Sequence, residues 1–128
     1  MNIIKLILKV LFALIFITAG TLHFVTTDFF MRIMPPAIPW HLFWVYLSGV
    51  CEIGLGIMLL IPKFSRTAAW GLIVLLIAVF PANIYMAMNP QIFPEFSVTG
   101  LYVRLLIQFV LIGWAYWLTD NGKRIMDN

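Results

Sequence analysis

Four apolar runs, each long enough to cross a lipid bilayer, occupy most of this chain: about Ile3 to Val25, His41 to Ile61, Thr67 to Met88 and Gly100 to Leu118. A hydrocarbon core about 30 Å thick takes about 20 helical residues. Backbone groups in lipid must find their hydrogen-bond partners within the segment, so each run is read as a helix. The 128 residues are 63% hydrophobic and 10% charged, far from the balance of soluble domains. The expected fold class is therefore all-α, an integral membrane four-helix up-and-down bundle forming a single domain. The joins Thr26 to Trp40, Pro62 to Arg66 and Asn89 to Thr99 are too short for a soluble domain. Any active surface thus lies in or just above the bundle.

The joins carry some shape of their own. Phe29, Phe30, Ile33 and Met34 recur at helical spacing, and Asp28 and Arg32 stand as an i,i+4 pair, which predicts a short interfacial helix between helices 1 and 2. A plain interfacial loop is the simpler alternative to a functional lid. The run Met34-Pro35-Pro36-Ala37-Ile38-Pro39 cannot continue a helix, because each proline lacks the amide hydrogen and restricts its predecessor.

Basic residues set the orientation. With the N-terminus in the cytoplasm, Lys5, Lys9, Lys63, Arg66, Lys123 and Arg124 fall inside, and Arg32 and Arg104 fall towards the outside, as the positive-inside rule requires. Both termini are expected in the cytoplasm, and a short multi-pass chain of this kind suits a bacterial inner membrane. A signal-peptide reading of the first run fails for want of an A-x-A-like cleavage site. The formal charge of +3 is then a topological bias and a contact with the lipid bilayer, not a sign of nucleic acid. Trp40, Trp44, Tyr85 and Tyr102 suit the outer interface, and Trp70, Trp114, Tyr116 and Trp117 the inner one.

Against that apolar background the polar residues stand out. Glu52 lies near the middle of its span, where a carboxyl group is costly unless paired, protonated or wetted, and such a residue reads as functional by default. Counting 1.5 Å per residue places His23 near the outer end of the first helix. On the same count Asn83 and Arg104 lie about one turn in on the third and fourth, and Gln108 near mid-bilayer. All five fall in the middle and outer half, so one shared polar pocket is the simplest account. Ser48, Gly49 and Gly56 share a helical face with Glu52, and small residues there admit either a closely packed helix or a ligand. Arg104 is expected to reach towards Glu52, and such a pair serves either helix register or a working site. His23 with Glu52 makes a proton-handling set, since an imidazole titrates near neutrality. Pro81 is expected to kink the third helix beside Asn83.

Other chemistries lack their residues. Cys51 is the single cysteine, which rules out an intramolecular disulfide and a C-x-x-C pair, and it reads as a small buried apolar residue. His23 and His41 have no ligand-spaced partner, so no metal or haem site is expected. No flavin site is evident, and no phosphate loop or Gly-x-Ser-x-Gly is present.

The order of Ala19-Gly20 with His23-Phe24, Met34-Pro35-Pro36, Ser48-Gly49 with Glu52-Ile53, Pro62 with Arg66, Pro81-Ala82-Asn83-Ile84-Tyr85, and Arg104 with Gln108 resembles the DoxX-like small membrane proteins over most of the chain. That resemblance implies a four-helix membrane bundle and a link to quinone-reducing or quinol-oxidising complexes. The leading expectation is a membrane subunit that holds an isoprenoid quinone, with Glu52 and His23 handling protons. Arg104, Gln108, Asn83, Ser48 and Gly49 would then bind the ligand, and electrons would come from a redox protein partner. A homo-oligomer is also open. The alternatives are a small proton-coupled exporter, which the charge bias disfavours as an inverted dimer, and a non-catalytic scaffold or assembly factor.

Overall fold

The computed structural model describes residues 3–119, and the expected inner charges Lys123 and Arg124 lie outside them. Five α-helices follow in order: α1 (Ile3–Val25), α2 (Thr27–Arg32), α3 (His41–Leu59), α4 (Ser65–Met88) and α5 (Val98–Thr119), with a 3₁₀ turn at Pro90–Ile92. The four long ones are apolar and long enough to span a membrane, so the chain is a four-helix membrane bundle. Their ends fall within two residues of the sequence-derived spans. The short α2 occupies the predicted interfacial position, and Met34 to Pro39 forms the non-helical elbow, closed by His41 Nε2 against the Pro35 carbonyl at 3.2 Å. The α4 helix runs on through Pro81.

Each long helix packs on its neighbour in the chain, giving the cyclic order α1, α3, α4, α5. The α1–α3 contact is the closest fitted. A methyl group added at Gly20 would stand 2.7 Å from the Gly49 carbonyl oxygen, and one at Gly49 would stand 2.9 Å from His23 Cβ and 3.0 Å from the Gly20 carbonyl oxygen. Lower down, Gly56 faces Ile17 and the Ala13 carbonyl. In lipid, where apolar burial between helices drives little, such close van der Waals contact is a main source of association. The face of α3 that carries Gly49, Glu52 and Gly56 is therefore a packing surface for α1.

Two apolar cores lie at different heights. One, at the end of the bundle where α1 begins and termed inner, gathers Phe12, Phe16, Leu59, Leu72, Ala115 and Leu118, and the other, beside α2 and termed outer, gathers Ile33, Met86, Phe93 and Leu101. Lys9, Ser65 and Thr119 are buried at the inner end. Trp114 is half-buried and packs edge-on to Phe12 at 4.9 Å instead of standing free as an interfacial anchor. Cys51 is half-buried on α3.

Arg32 does not pair with Asp28. Its guanidinium turns to Glu95 in the α4–α5 connection at 2.5 Å, and lies over the rings of Phe29 and Phe93 at 5.5 and 5.2 Å. A carboxylate opposite, with two aromatic faces to hold the cation, outcompetes the i,i+4 neighbour. The latch ties α2 across the outer end to the last connection, so α2 is a roof.

Two outcomes follow for the purified protein in detergent. Gly20→Ala should lower the melting temperature, with a cost of about 1–3 kcal/mol as for other overpacked sites. Gly54→Ala should not, because a methyl at Gly54 meets open space. The hydrogen bond from Arg32 holds the Glu95 carboxyl below its ordinary 4.5. The latch therefore contributes stability above pH 4.5 and loses it as the pH falls further. Wild type should melt above Glu95→Gln near pH 7, and the two should converge as the pH falls below 4.5.

Candidate functional site

Antiparallel neighbours aim their side chains at one another, because every Cα–Cβ bond tilts towards the N-terminus of its own helix. His23 on the ascending α1 leans inward and Glu52 on the descending α3 leans outward. They meet at 3.1 Å between Nε2 and Oε2, with the residues only 7% and 8% exposed. His23 Nδ1 lies 2.7 Å from the Ala19 carbonyl. A carbonyl only accepts, so Nδ1 carries a hydrogen, and the exchangeable position is Nε2, facing the carboxyl. A proton exchanged between Nε2 and Oε2 would give imidazole with carboxylic acid or imidazolium with carboxylate, with a net charge of zero in both. The Nε2 contact lies off the hydrogen-bonding axis, which leaves Oε2 without a well-directed donor among the described residues. Phe30 of the roof stacks on the His23 ring at 3.9 Å.

The same tilt separates Arg104 from Glu52. Arg104 sits on the descending α5, so its side chain runs outward, above the carboxyl it was expected to meet. Its Nη2 lies 3.5 Å from Asn83 Oδ1, its guanidinium lies over Phe96 at 5.6 Å, and its Nε is buried without a partner. The ion pairs among the described residues are His23 with Glu52 and Arg32 with Glu95. Arg104 is thus a guanidinium with unused donors and no facing carboxylate.

Asn83 and Gln108 connect α4 to α5. Gln108 Nε2 donates to the Leu76 carbonyl and its Oε1 accepts from Asn83 Nδ2, while Asn83 Oδ1 faces Arg104. The Leu76 carbonyl sets the direction of this chain, since it can only accept. Both amide atoms of Gln108 engage protein groups, and its Oε1 is held against Asn83.

Between these two walls lies a cavity of about 430 Å³, lined by His23, Glu52, Asn83 and Arg104 and roofed by Phe29, Phe30 and Phe96. Its size falls within the ordinary range of small-molecule sites. Two residues expected there are elsewhere. Gly49 lies in the α1–α3 seam, and Ser48 lines a separate cavity of about 290 Å³ between α3, α4 and the proline elbow. Gly49 is covered by the backbone and side chains of α1, and Ser48 stands on the side of α3 that turns to α4. Phe30, Phe96 and the Ala19 carbonyl were not assigned to the site from the sequence. The apolar stripe of the interfacial helix was the available signal for Phe30.

The Asn83–Gln108 link should appear as an energetic coupling. In a double-mutant cycle of Asn83→Leu and Gln108→Leu, read by thermal unfolding in detergent, each single variant should destabilise and the pair should couple by about 0.6–2 kcal/mol. Additive losses would contradict the link.

No curated protein and no solved structure matches the chain. The match of residues 12–119 to one family model takes in α1 from Phe12 onward, the whole of α3, α4 and α5 and every residue of the cavity walls, and it shows that the chain belongs to the family described as domain of unknown function DUF8561.

Proposed function

We propose that this protein is a membrane subunit of a quinone-linked redox system, as the DoxX-like resemblance of its motifs implies. The cavity would be its isoprenoid-quinone site. The observation that carries the reading is the pairing of two unlike walls across one cavity: the close His23–Glu52 pair on one side and the under-used guanidinium of Arg104 on the other. A quinone ring has two carbonyl oxygens, and its reduction takes up two electrons and two protons. Glu52 and His23 deliver one proton to the nearer oxygen, Arg104, held by Asn83, donates N–H to the farther one as negative charge builds there, and the second proton reaches that oxygen from solvent. Ser48 and Gly49 take no part, and Gln108 acts only through Asn83. A partner redox protein supplies the electrons.

The chain sits in the bacterial inner membrane with both termini in the cytoplasm, as the distribution of Lys and Arg supports. That orientation puts the cavity in the outer half of the bilayer, below the α2 roof.

Solvent extraction and mass spectrometry of protein purified from its native membrane should find isoprenoid quinone near one per chain. Glu52→Gln keeps the shape of the carboxyl but cannot cycle a proton, and it should lower bound quinone about tenfold, equivalent to about 1.4 kcal/mol. Quinone absent from both samples would remove this reading and leave proton-coupled export and a scaffold role, to be separated by transport and partner assays.

A further inference from the structure

The α1–α5 seam is the one side of the cavity wall formed by helices that are not consecutive long spans. It is closed in the inner half, where Phe12 packs on Trp114 at 4.9 Å and Lys5 lies over Trp117 at 4.7 Å. One turn above those rings are Ile15 on α1 and Leu111 on α5, and both line the cavity. Two turns above Ile15 is Leu22, which lines it as well. Ile15 is 38% exposed and Leu22 42% exposed, so the same side chains border the interior space and the outer surface of the bundle. Above Phe12 and Trp114 no hydrogen bond or ring contact bridges α1 and α5 among the described residues. The seven helical steps of α1 from Ile15 to Leu22 make an opening roughly 10 Å tall. Its edges are apolar, and its position along the spans is within the hydrocarbon layer.

Two of the other three seams are barred, and the third, α3 against α4, carries the separate cavity lined by Ser48. The glycine contacts close α1 against α3. A groove of about 200 Å³ between α4 and α5 shares Asn83 and Arg104 with the cavity, but the hydrogen bonds from Gln108 to Leu76 and from Asn83 to Gln108 cross from helix to helix beside it. The roof is latched by Arg32 and Glu95.

We infer that the cavity is loaded sideways from the bilayer through this window, with the ring of the ligand held between His23–Glu52 and Arg104 and its isoprenoid tail leaving over Ile15 and Leu111 into the lipid. The inference rests on the quinone reading of the cavity. It follows from size and polarity together. A space of about 430 Å³ takes a substituted ring and the start of a tail, and the rest of a long tail needs an apolar exit at the depth where the ring is bound. The window supplies that exit, and it makes the tail a specificity determinant: a tailed lipid reaches the site through the bilayer, whereas a polar solute meets the latched roof.

The test compares a long-chain isoprenoid benzoquinone with its tail-less ring analogue, titrated onto the full-length protein in lipid nanodiscs. Ile15→Trp and Leu111→Trp should each weaken the tailed quinone at least tenfold and leave the tail-less ring within about twofold. Val110→Trp, on the exposed face of α5, should change neither. Leu22→Trp, at the upper edge of the opening, gives the same comparison if tryptophan at the sill prevents folding. Unchanged affinity for the tailed quinone in the window variants overturns the window and leaves the quinone site standing. Equal weakening of both ligands also overturns it, because the new ring would then be filling the head cavity. If wild type binds neither quinone, the window and the quinone reading fall together.

Discussion

The close approach of α1 and α3 is the contact on which the rest of the structure depends. Gly20 and Gly49 present backbone to backbone at a spacing that no side chain would permit, and that spacing brings the ring of His23 to 3.1 Å from the Glu52 carboxyl. An isolated carboxyl in a membrane bundle is costly, and removing its partner leaves the full burden of an unpaired buried group. Here the partner comes with its own orientation, since the Ala19 carbonyl fixes the Nδ1 hydrogen and turns Nε2 towards Glu52. The glycine seam, the imidazole tautomer and the state of Glu52 thus form one coupled unit, in which a change to the seam is also a change to the site.

The second wall obeys different physics. Arg104, Asn83 and Gln108 form a directed chain of donors ending on the Leu76 carbonyl, and it joins α4 to α5 without any carboxylate. The two walls are kept apart because the tilt of Cα–Cβ bonds sends Arg104 outward, towards Phe96, and away from Glu52. Had Arg104 reached Glu52, the pair would have filled the space between the helices and served register alone. Their separation leaves a cavity with the His23–Glu52 pair on one side and free donors on the other, under a roof held by Arg32 and Glu95. The proposed quinone chemistry and the lateral window both stem from that separation.

Much of this was legible from residue order. The spans were, because about 20 apolar residues against a 30 Å layer leave few other choices, and so was α2, whose Phe29, Phe30 and Ile33 repeat at helical spacing. The polar layer was legible as well, since depth along a helix is a matter of counting. What counting did not resolve was which polar residue meets which. Arg104 and Glu52 carry opposite charges and lie at compatible depths, yet the pairs are His23 with Glu52 and Arg32 with Glu95. Ser48 and Gly49 are adjacent in sequence to the right face of α3, but Gly49 belongs to the seam and Ser48 to another cavity.

By itself the sequence determined a membrane-spanning all-helical chain, the number and ends of its spans, and the height at which polar groups gather. It did so because hydrogen-bond satisfaction and hydrophobic length are local properties of a segment. Only the tertiary structure decided the partner of each polar group, the place of the cavity and its open side. Those depend on the azimuth at which each helix faces its neighbours, and close glycine contacts between distant segments set that azimuth.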